Sequence, residues 1–436
     1  MSDAAPERHW TELFAATAAE RAGEPGWLEA SRKAAIARFA ELGFPTRRLE
    51  AWKYTNPAPI AKIEWQPAAR AEIAHEALAD LAIGGDPALV FVNGRFAAEL
   101  SSPASADPSV VLAPFGRMLA TEPAALEPLL ANDPIFGDRA FAALARAFAT
   151  DGAYVRIPRD HVAARPIWLV FVSVPGAAPA ASHPRFAVVA ETGSHAAIHE
   201  VHVGLGAGEQ LVNALGEIHA RANAQLRHVK LLVGGSSTTH LSHFALHVER
   251  DAHARSTLVS IGARVARHDV VGTLDGPGAE CALDGLYVGG DGQHVDNHTT
   301  IDHRQPHGTS RELFKGILGG KSRGIFSGKV IVRPAAQKSD AQQKNENLLL
   351  SRDAEVDSKP QLEIEADDVK CSHGSTIGQL DEDAVFYLRS RGLGEKEAAA
   401  LLTRGFAAQV LEPIEDAPFR ERIEARVLAK LFGATS

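Results

Sequence analysis

Cysteine is nearly absent: Cys281 and Cys371 are the only two in 436 residues. So few thiols exclude a disulfide framework, a four-cysteine zinc site, and any cluster held by this chain's thiols alone. Metal or sulfur chemistry at Cys371 would need ligands of other types or from another chain. Long apolar runs are missing too. Nothing approaches the roughly 18 apolar residues of a membrane span, and the start, MSDAAPERHW, has no apolar leader segment. The expectation is a cytoplasmic protein with no membrane partner. Basic charge is not in excess: 45 Lys and Arg against 54 Asp and Glu give a formal net charge of -9. That argues against a general nucleic-acid or anionic-membrane binder, since both need clustered cations. A Rossmann fingerprint is also absent.

What is present is the composition of a soluble globular protein, 45% hydrophobic with 37 Gly and 24 Pro. The chain exceeds the roughly 250 to 300 residues at which one core stops growing, so several units are expected. We divide it into a mixed, mostly helical unit at 1–150, a β-helix core at 151–380 and a helical unit at 381–436. The first contains helical periodicity in ERHWTELFAATAAERA and PGWLEASRKAAIARFAELGF, a hairpin in ALVFVNGRFAAEL turning at Asn93-Gly94, and a helix over about 137 to 150.

In the second unit helical periodicity disappears. Short alternating runs begin at 195, 223, 253 and 279 (HAAIHEVHVG, NAQLRHVKLL, HARSTLVSIG, AECALDGLYVG), spaced by 28, 30 and 26 residues. A regular turn followed by a strand, with no helix between, suggests coils stacked in a β-helix; a β-sandwich or cupin barrel is the rival. Asn345 and Asn347, on one strand face, could form amide ladders between stacked strands. After Gly378, LDEDAVFYLRSRGL, GEKEAAALLTRGFAAQVL and PFRERIEARVLAKLF read as three helices, the last two separated at Glu412-Pro413. Such a tail packs on the β body, offers a face to a partner, or both.

Fourteen of the nineteen histidines lie between 195 and 307. His195, His199, His202, His294 and His298 are candidates for a metal-dependent β-helix or cupin-like enzyme. Against that, His195 and His199 share a strand face while His202 points the other way, so coil-stacked or solvent-facing histidines are the plainer reading. KGILGGKSRG imitates a phosphate loop at Gly320, Lys321 and Ser322. Lys315 stands where the first glycine belongs, Gly316 falls one residue late, and a strand follows where a helix must begin, so the motif is rejected. Polysaccharide cleavage would draw on Asp284, Asp296 and Asp302, but few strand aromatics are present to stack sugars. The segment DDVKCSHGST places Cys371 and His373 two apart on a strand taken to end at Gly374, hence on one face. A thiol and an imidazole so placed can hold a soft metal or sulfur species, the imidazole favouring the thiolate; a buried Cys beside an exposed His is the alternative.

The run from Gly316 to Leu393, which includes KNENLLLS and DDVKCSHGST, together with PTRRLEAWKYT near the N-terminus, resembles the SufB/SufD family of iron-sulfur cluster assembly scaffolds. RRLEAWKYT, the modest length and the scarcity of cysteine point to the SufD branch. The resemblance implies a right-handed parallel β-helix core, mainly β overall, flanked by N- and C-terminal helical domains, and no enzymatic activity of its own. It implies pairing with SufB through the β-helices and docking of the SufC ATPase on the C-terminal helices at about 381 to 436, in a complex of one SufB, one SufD and two SufC. By residue match, His373, with Cys371 beside it, would meet a nascent cluster at the SufB interface. No cofactor would be held stably by the chain alone, and the iron-sulfur cluster of the complex would be transient. Closure of the SufC pair on ATP would move the tails and open that interface. A homodimer in the absence of SufB is a further expectation. Nothing in the sequence locates a flavin, and from about 60 to 270 no site is carried over.

Overall fold

The computed structural model describes residues 6–81, 86–103, 107–131 and 135–433, so the outermost ends of the expected first and third units lie outside the described residues. The chain is mainly β. Parallel strands alternate between two sheets: one runs from Gly152–Ile157 through Arg185–Ala190, Gln210–Ala220, Thr238–Val248, Val265–Leu274, His294–His303 and Arg323–Val332 to Glu355–Ile364. The other runs from Ile167–Ser173 through His195–Gly204, Gln225–Gly234, His253–Gly262, Glu280–Gly289, Thr309–Leu318 and Asp340–Leu349 to Lys370–Gly378. Each coil therefore spends one strand in each sheet. This is the parallel β-helix expected, and neither a sandwich nor a cupin barrel.

One turn repeats from coil to coil. Asp160, Gly193, Asn223, Asp251, Gly278, His307 and Lys338 all have positive φ. The N–H of each donates to the carbonyl of the residue before the next: Gly193 to Ala222, Asn223 to Arg250, Asp251 to Pro277. A tiny residue follows the turn in most coils (Ser194, Ala224, Ala252, Ala279, Ser339), almost fully buried where the chain bends into its strand. Gly278 shows why the turn is selective. Its φ is +71°, and a Cβ there would lie 2.3 Å from Asp251 Oδ1. The tripeptides GSH, NAQ, DAH, GAE and KSD are thus the sequence trace of the coil.

Alternation sends Ala196, Ile198, Leu226, Ala254, Leu283, Phe314 and Ala341 from one sheet, and Ile218, Phe244, Leu246, Val270, Val295, Phe326 and Val330 from the other, into one interior core. The outer faces are covered by helices. On one sheet, Trp10, Phe39, Trp52, Phe141 and Leu144 pack against Leu211 and Leu241. On the other, Ala407, Val410, Leu411, Phe419, Ile423 and Val427 of the tail pack against Val201, Val229, Val259, Leu286 and Ile317. Gln225–Gly234, His253–Gly262 and Glu280–Gly289 open with an alternation of exposed and buried residues before the helix-covered stretch, whereas Gln210–Ala220 and Thr238–Val248 are buried from their first residue, which is why the sequence showed only the strands of one sheet clearly.

The N-terminal hairpin turns at Asn93 (φ 51°) and Gly94 (φ 75°), as expected, and its strand Ala88–Val92 pairs in parallel with Ile167–Ser173. With the antiparallel strand Val111–Pro114 on the companion sheet, it finishes one end of the solenoid. The RRLEAWKYT segment is pinned to the flank. Trp52 lies under the Arg267 guanidinium at 4.1 Å, and Thr55 Oγ1 donates to Asp296 Oδ2 at 2.5 Å.

Candidate functional site at the open end of the solenoid

At the other end, the strands Glu355–Ile364 and Lys370–Gly378 are the last of their sheets, and no strand or helix among the described residues pairs with their outer edges. The strand of interest does not stop at Gly374 but continues to Gly378, because its ladder with Asp340–Leu349 runs unbroken through Leu348 and Gly378. Its register sets Cys371 beside Ala341 and His373 beside Gln343, both inward positions of the preceding coil. Cys371, His373, Ser375 and Ile377 therefore continue the interior columns into a coil with no further coil over it among the described residues. Cys371 is half-buried against the core edge, whereas His373 is exposed and Ile377 is 52% exposed. The two candidates are brought to one face as expected.

The electrostatics differ from the expectation that His373 favours a thiolate. Burial pushes the Cys371 thiol up, the Asp340 carboxylate adds to this, and a backbone hydrogen bond with Ala341 offsets part of it. A free chain therefore holds Cys371 as the thiol. Cys281, deep in the core, is pushed by burial up to about 12 and is inert packing.

A polar column lies directly beneath. Gln343 Nε2 donates to Glu312 Oε2 at 2.5 Å, Asn347 Nδ2 to Asn345 Oδ1 at 2.7 Å, and Ser358 Oγ to the same Asn345 oxygen at 2.7 Å. Tyr287 donates to Asn347, and Ser375 Oγ donates to Ser358 Oγ at 2.8 Å. The two asparagines do not form ladders between stacked strands. Their register neighbours are Phe314 and Gly316 on one side and Ser375 and Ile377 on the other, so no amide meets an amide across the strands: Asn347 bonds Asn345 along the strand, and Asn345 Nδ2 donates to Tyr287 Oη and to the Phe314 carbonyl, each at 3.1 Å. Burial pushes Glu312 up to about 7, with hydrogen bonds from Thr299 and Gln343 acting against it.

The five central histidines are not brought together. His199 lies between Trp168 and Phe419, each ring centroid 4.6 Å away, on the outer face. His202 points inward and lies 2.6 Å from Glu200. His294 reaches Thr55 and His298 reaches Asp296, while His195 stands apart at a strand start. Burial pushes His199 down to about 3, so it is neutral packing. The acidic candidates are dispersed as well: Asp284 pairs with Arg255, Asp296 with Arg267, and Asp302 with Arg304 and Arg333. Each aspartate is tied to an arginine, and none faces another across a cleft. The glycine-lysine-serine run at 320–322 is a coil turn leading into the strand Arg323–Val332, as its rejection required.

By fold and site, then, the chain is a two-sheet parallel β-solenoid with a cysteine-histidine strand at its uncovered end. It belongs to the SufBD family. Residues 172–406 match the family model described as SUF system FeS cluster assembly, SufBD core domain, and residues 4–169 match the SufBD protein N-terminal region. The chain is 30% identical over 434 residues to the iron-sulfur cluster assembly protein SufD of Escherichia coli, covering 98% of this chain and 97% of that protein. It is 32% identical over 410 residues to a SufBD family protein of Synechocystis, covering 92% and 90%. A SufBD family protein of Mycobacterium leprae is 36% identical over 220 residues, covering 48% and 56%. No helix among the described residues is long and apolar enough to cross a membrane.

Proposed function

We propose that this chain is a non-catalytic, SufD-like scaffold subunit for iron-sulfur cluster assembly, working in the cytoplasm as part of a SufBCD complex. The observation that carries the reading is the uncovered last coil. Two adjacent strand edges and a row of inward-type side chains, Cys371, His373, Ser375 and Ile377, stand where a further coil would have buried them. An unpaired edge of this kind is a template for another chain. SufB is the partner for which the family reading calls, and a second copy of this chain could take the same place when SufB is absent. The nascent cluster, the cargo of the complex, would then meet the His373 imidazole and the Cys371 thiol alongside ligands from SufB.

The tail supplies the second contact. Its last two helices are committed to the β body, one through Ala407, Val410 and Leu411 and the other through Phe419, Ile423 and Val427, but the first, Glu382–Ser390, leaves Phe386 72% and Tyr387 57% exposed. We assign SufC docking to this apolar face together with Leu401. Arg420 donates to the Ile414 carbonyl at 2.7 Å and so belongs to the turn between helices rather than to the docking face.

Co-expression with SufB and SufC, followed by size-exclusion chromatography with mass determination, tests the reading. One SufB, one copy of this chain and two SufC are expected, with one SufC lost when the chain ends at Gln379. On the assembled complex, His373→Ala is expected to diminish cluster formation, followed by its visible absorption. Undiminished cluster formation would remove His373 as a ligand, and a chain that ran alone would remove the scaffold reading.

A further inference from the structure

A second constellation of ligands lies on the outer face of the Glu355-terminated sheet, four strands in from its open edge. Glu217 and His219, two apart on the strand Gln210–Ala220, project on one side, and the ladder sets His247 directly beside His219. The two imidazoles are parallel to within 7° with centroids 4.4 Å apart, and His219 Nε2 lies 2.9 Å from Glu217 Oε2. One ligand atom from each of the three residues falls within 4.8 Å of the others. All three are partly exposed, so the site opens to solvent.

We propose that Glu217, His219 and His247 form a binding site for a divalent first-row transition metal. Two imidazoles and one carboxylate are the donor set that zinc and iron(II) accept with a coordination position left open. Metal–ligand bonds of about 2.0–2.2 Å draw donors closer than 4.8 Å. The Glu217–His219 pair already meets this, and the proposal requires the His247 ring to turn out of its parallel stack on His219, a change in χ2 for which an imidazole has a broad torsional well. The surroundings support the site. Asp275 Oδ2 lies 4.0 Å from His247 Nδ1, beyond hydrogen-bond length but on the side from which a carboxylate orients a ligating histidine. Arg304 holds the other Asp275 oxygen at 3.0 Å, and Arg185 lies 3.6 Å from the other Glu217 oxygen. Both guanidiniums engage the oxygens that face away from the imidazoles. The site is independent of the open end and of the partner reading.

The test is titration of the full-length chain with Co²⁺, read by the d–d absorption of a four- or five-coordinate ion, with Zn²⁺ and, anaerobically, Fe²⁺ as competitors. One equivalent is expected, displaced by Zn²⁺. His219→Ala and His247→Ala should each weaken binding more than tenfold, and Asp275→Asn by about tenfold, the loss typical of an orienting carboxylate. His253→Ala, on the other sheet, should leave binding unchanged. Glu217→Gln stands in if a histidine variant fails to fold. Cobalt that keeps its hexaaqua spectrum, resists Zn²⁺, or binds equally to the histidine variants and Glu217→Gln would overturn the assignment.

Discussion

At the scale of single residues, the interior is unusual in the charge it buries. Glu200 points into the solenoid, where Lys230 Nζ lies 2.8 Å away and His202 and His228 lie 2.6 and 3.1 Å away. The group is all but fully buried, and those partners hold the carboxylate well below its usual range against the cost of desolvation. Lys230→Met should destabilise the fold by about 3–5 kcal/mol, because it strands a buried charge. Adding Glu200→Gln should recover a good part of that loss, as read by urea denaturation of both variants. The histidines set a pH dependence. His183, His199, His243 and His268 are pushed down to about 3 by burial, from an ordinary value of 6.5. Between those values the unfolded chain binds more protons, so stability is lost as pH falls below about 6.5, by about 1.4 kcal/mol per group per pH unit. Glu312, raised to about 7, and Asp284, raised to about 6, act in the opposite sense, adding stability as pH falls through those values. Four groups outweigh two, so the urea midpoint should drop between about pH 7 and pH 5.5. A midpoint that held or rose would mean that the histidines are hydrated.

At the scale of elements, the tail separates the helices that pack on the sheet from the face proposed for docking. Phe419 lies 4.7 Å from Trp168 and 4.6 Å from His199, so Phe419→Ala opens a cavity between the last helix and the sheet. A loss of about 3–5 kcal/mol is expected, seen as early amide exchange and proteolysis confined to the tail. The double variant Phe386→Ala/Tyr387→Ala touches no core and should leave the melting temperature within about 2 °C of wild type. It should still weaken SufC binding, and unchanged affinity would move the contact elsewhere. The elements differ in how legible they were. The tail helices announced themselves: Asp381 caps the first through the Asp383 and Ala384 amides, and Gly392, at φ 98°, follows its end. Half of each coil did not, since strands of the Gln210-containing sheet such as Gln210–Ala220 and Thr238–Val248 are buried from their first residue and lack the alternation that opens Gln225–Gly234 and His253–Gly262. The facing of Cys371 and His373 followed from spacing alone. The Glu217, His219 and His247 cluster did not stand out, because its histidines are 28 residues apart and meet only when that number is taken as the coil period.

At the scale of the whole molecule, the two ends of the solenoid are unlike. One is finished by antiparallel strands that turn the sheet edges back on themselves, and the other presents two parallel edges flanked by Ile364 and Ile377, each more than 40% exposed. Exposed edges are ordinarily blunted by charge, by proline or by a covering element. Pro360 interrupts one edge strand, and Lys359, bound to Glu50, guards it, but along the second strand the run from Cys371 to Gly378 carries no formal charge apart from what His373 takes up on protonation. An edge so little protected is suited to being covered. Lysine placed at Ile377 and Ile364 would add charge to both edges without entering the core. The variant should keep the wild-type melting temperature, since neither side chain is buried in the isolated chain. It should fail to pair with SufB, and any concentration-dependent dimer seen for the wild type by analytical ultracentrifugation should fall apart to monomer. If the charged variant assembled as the wild type does, the open end would not be the interface, and Cys371 and His373 would face solvent in the working complex.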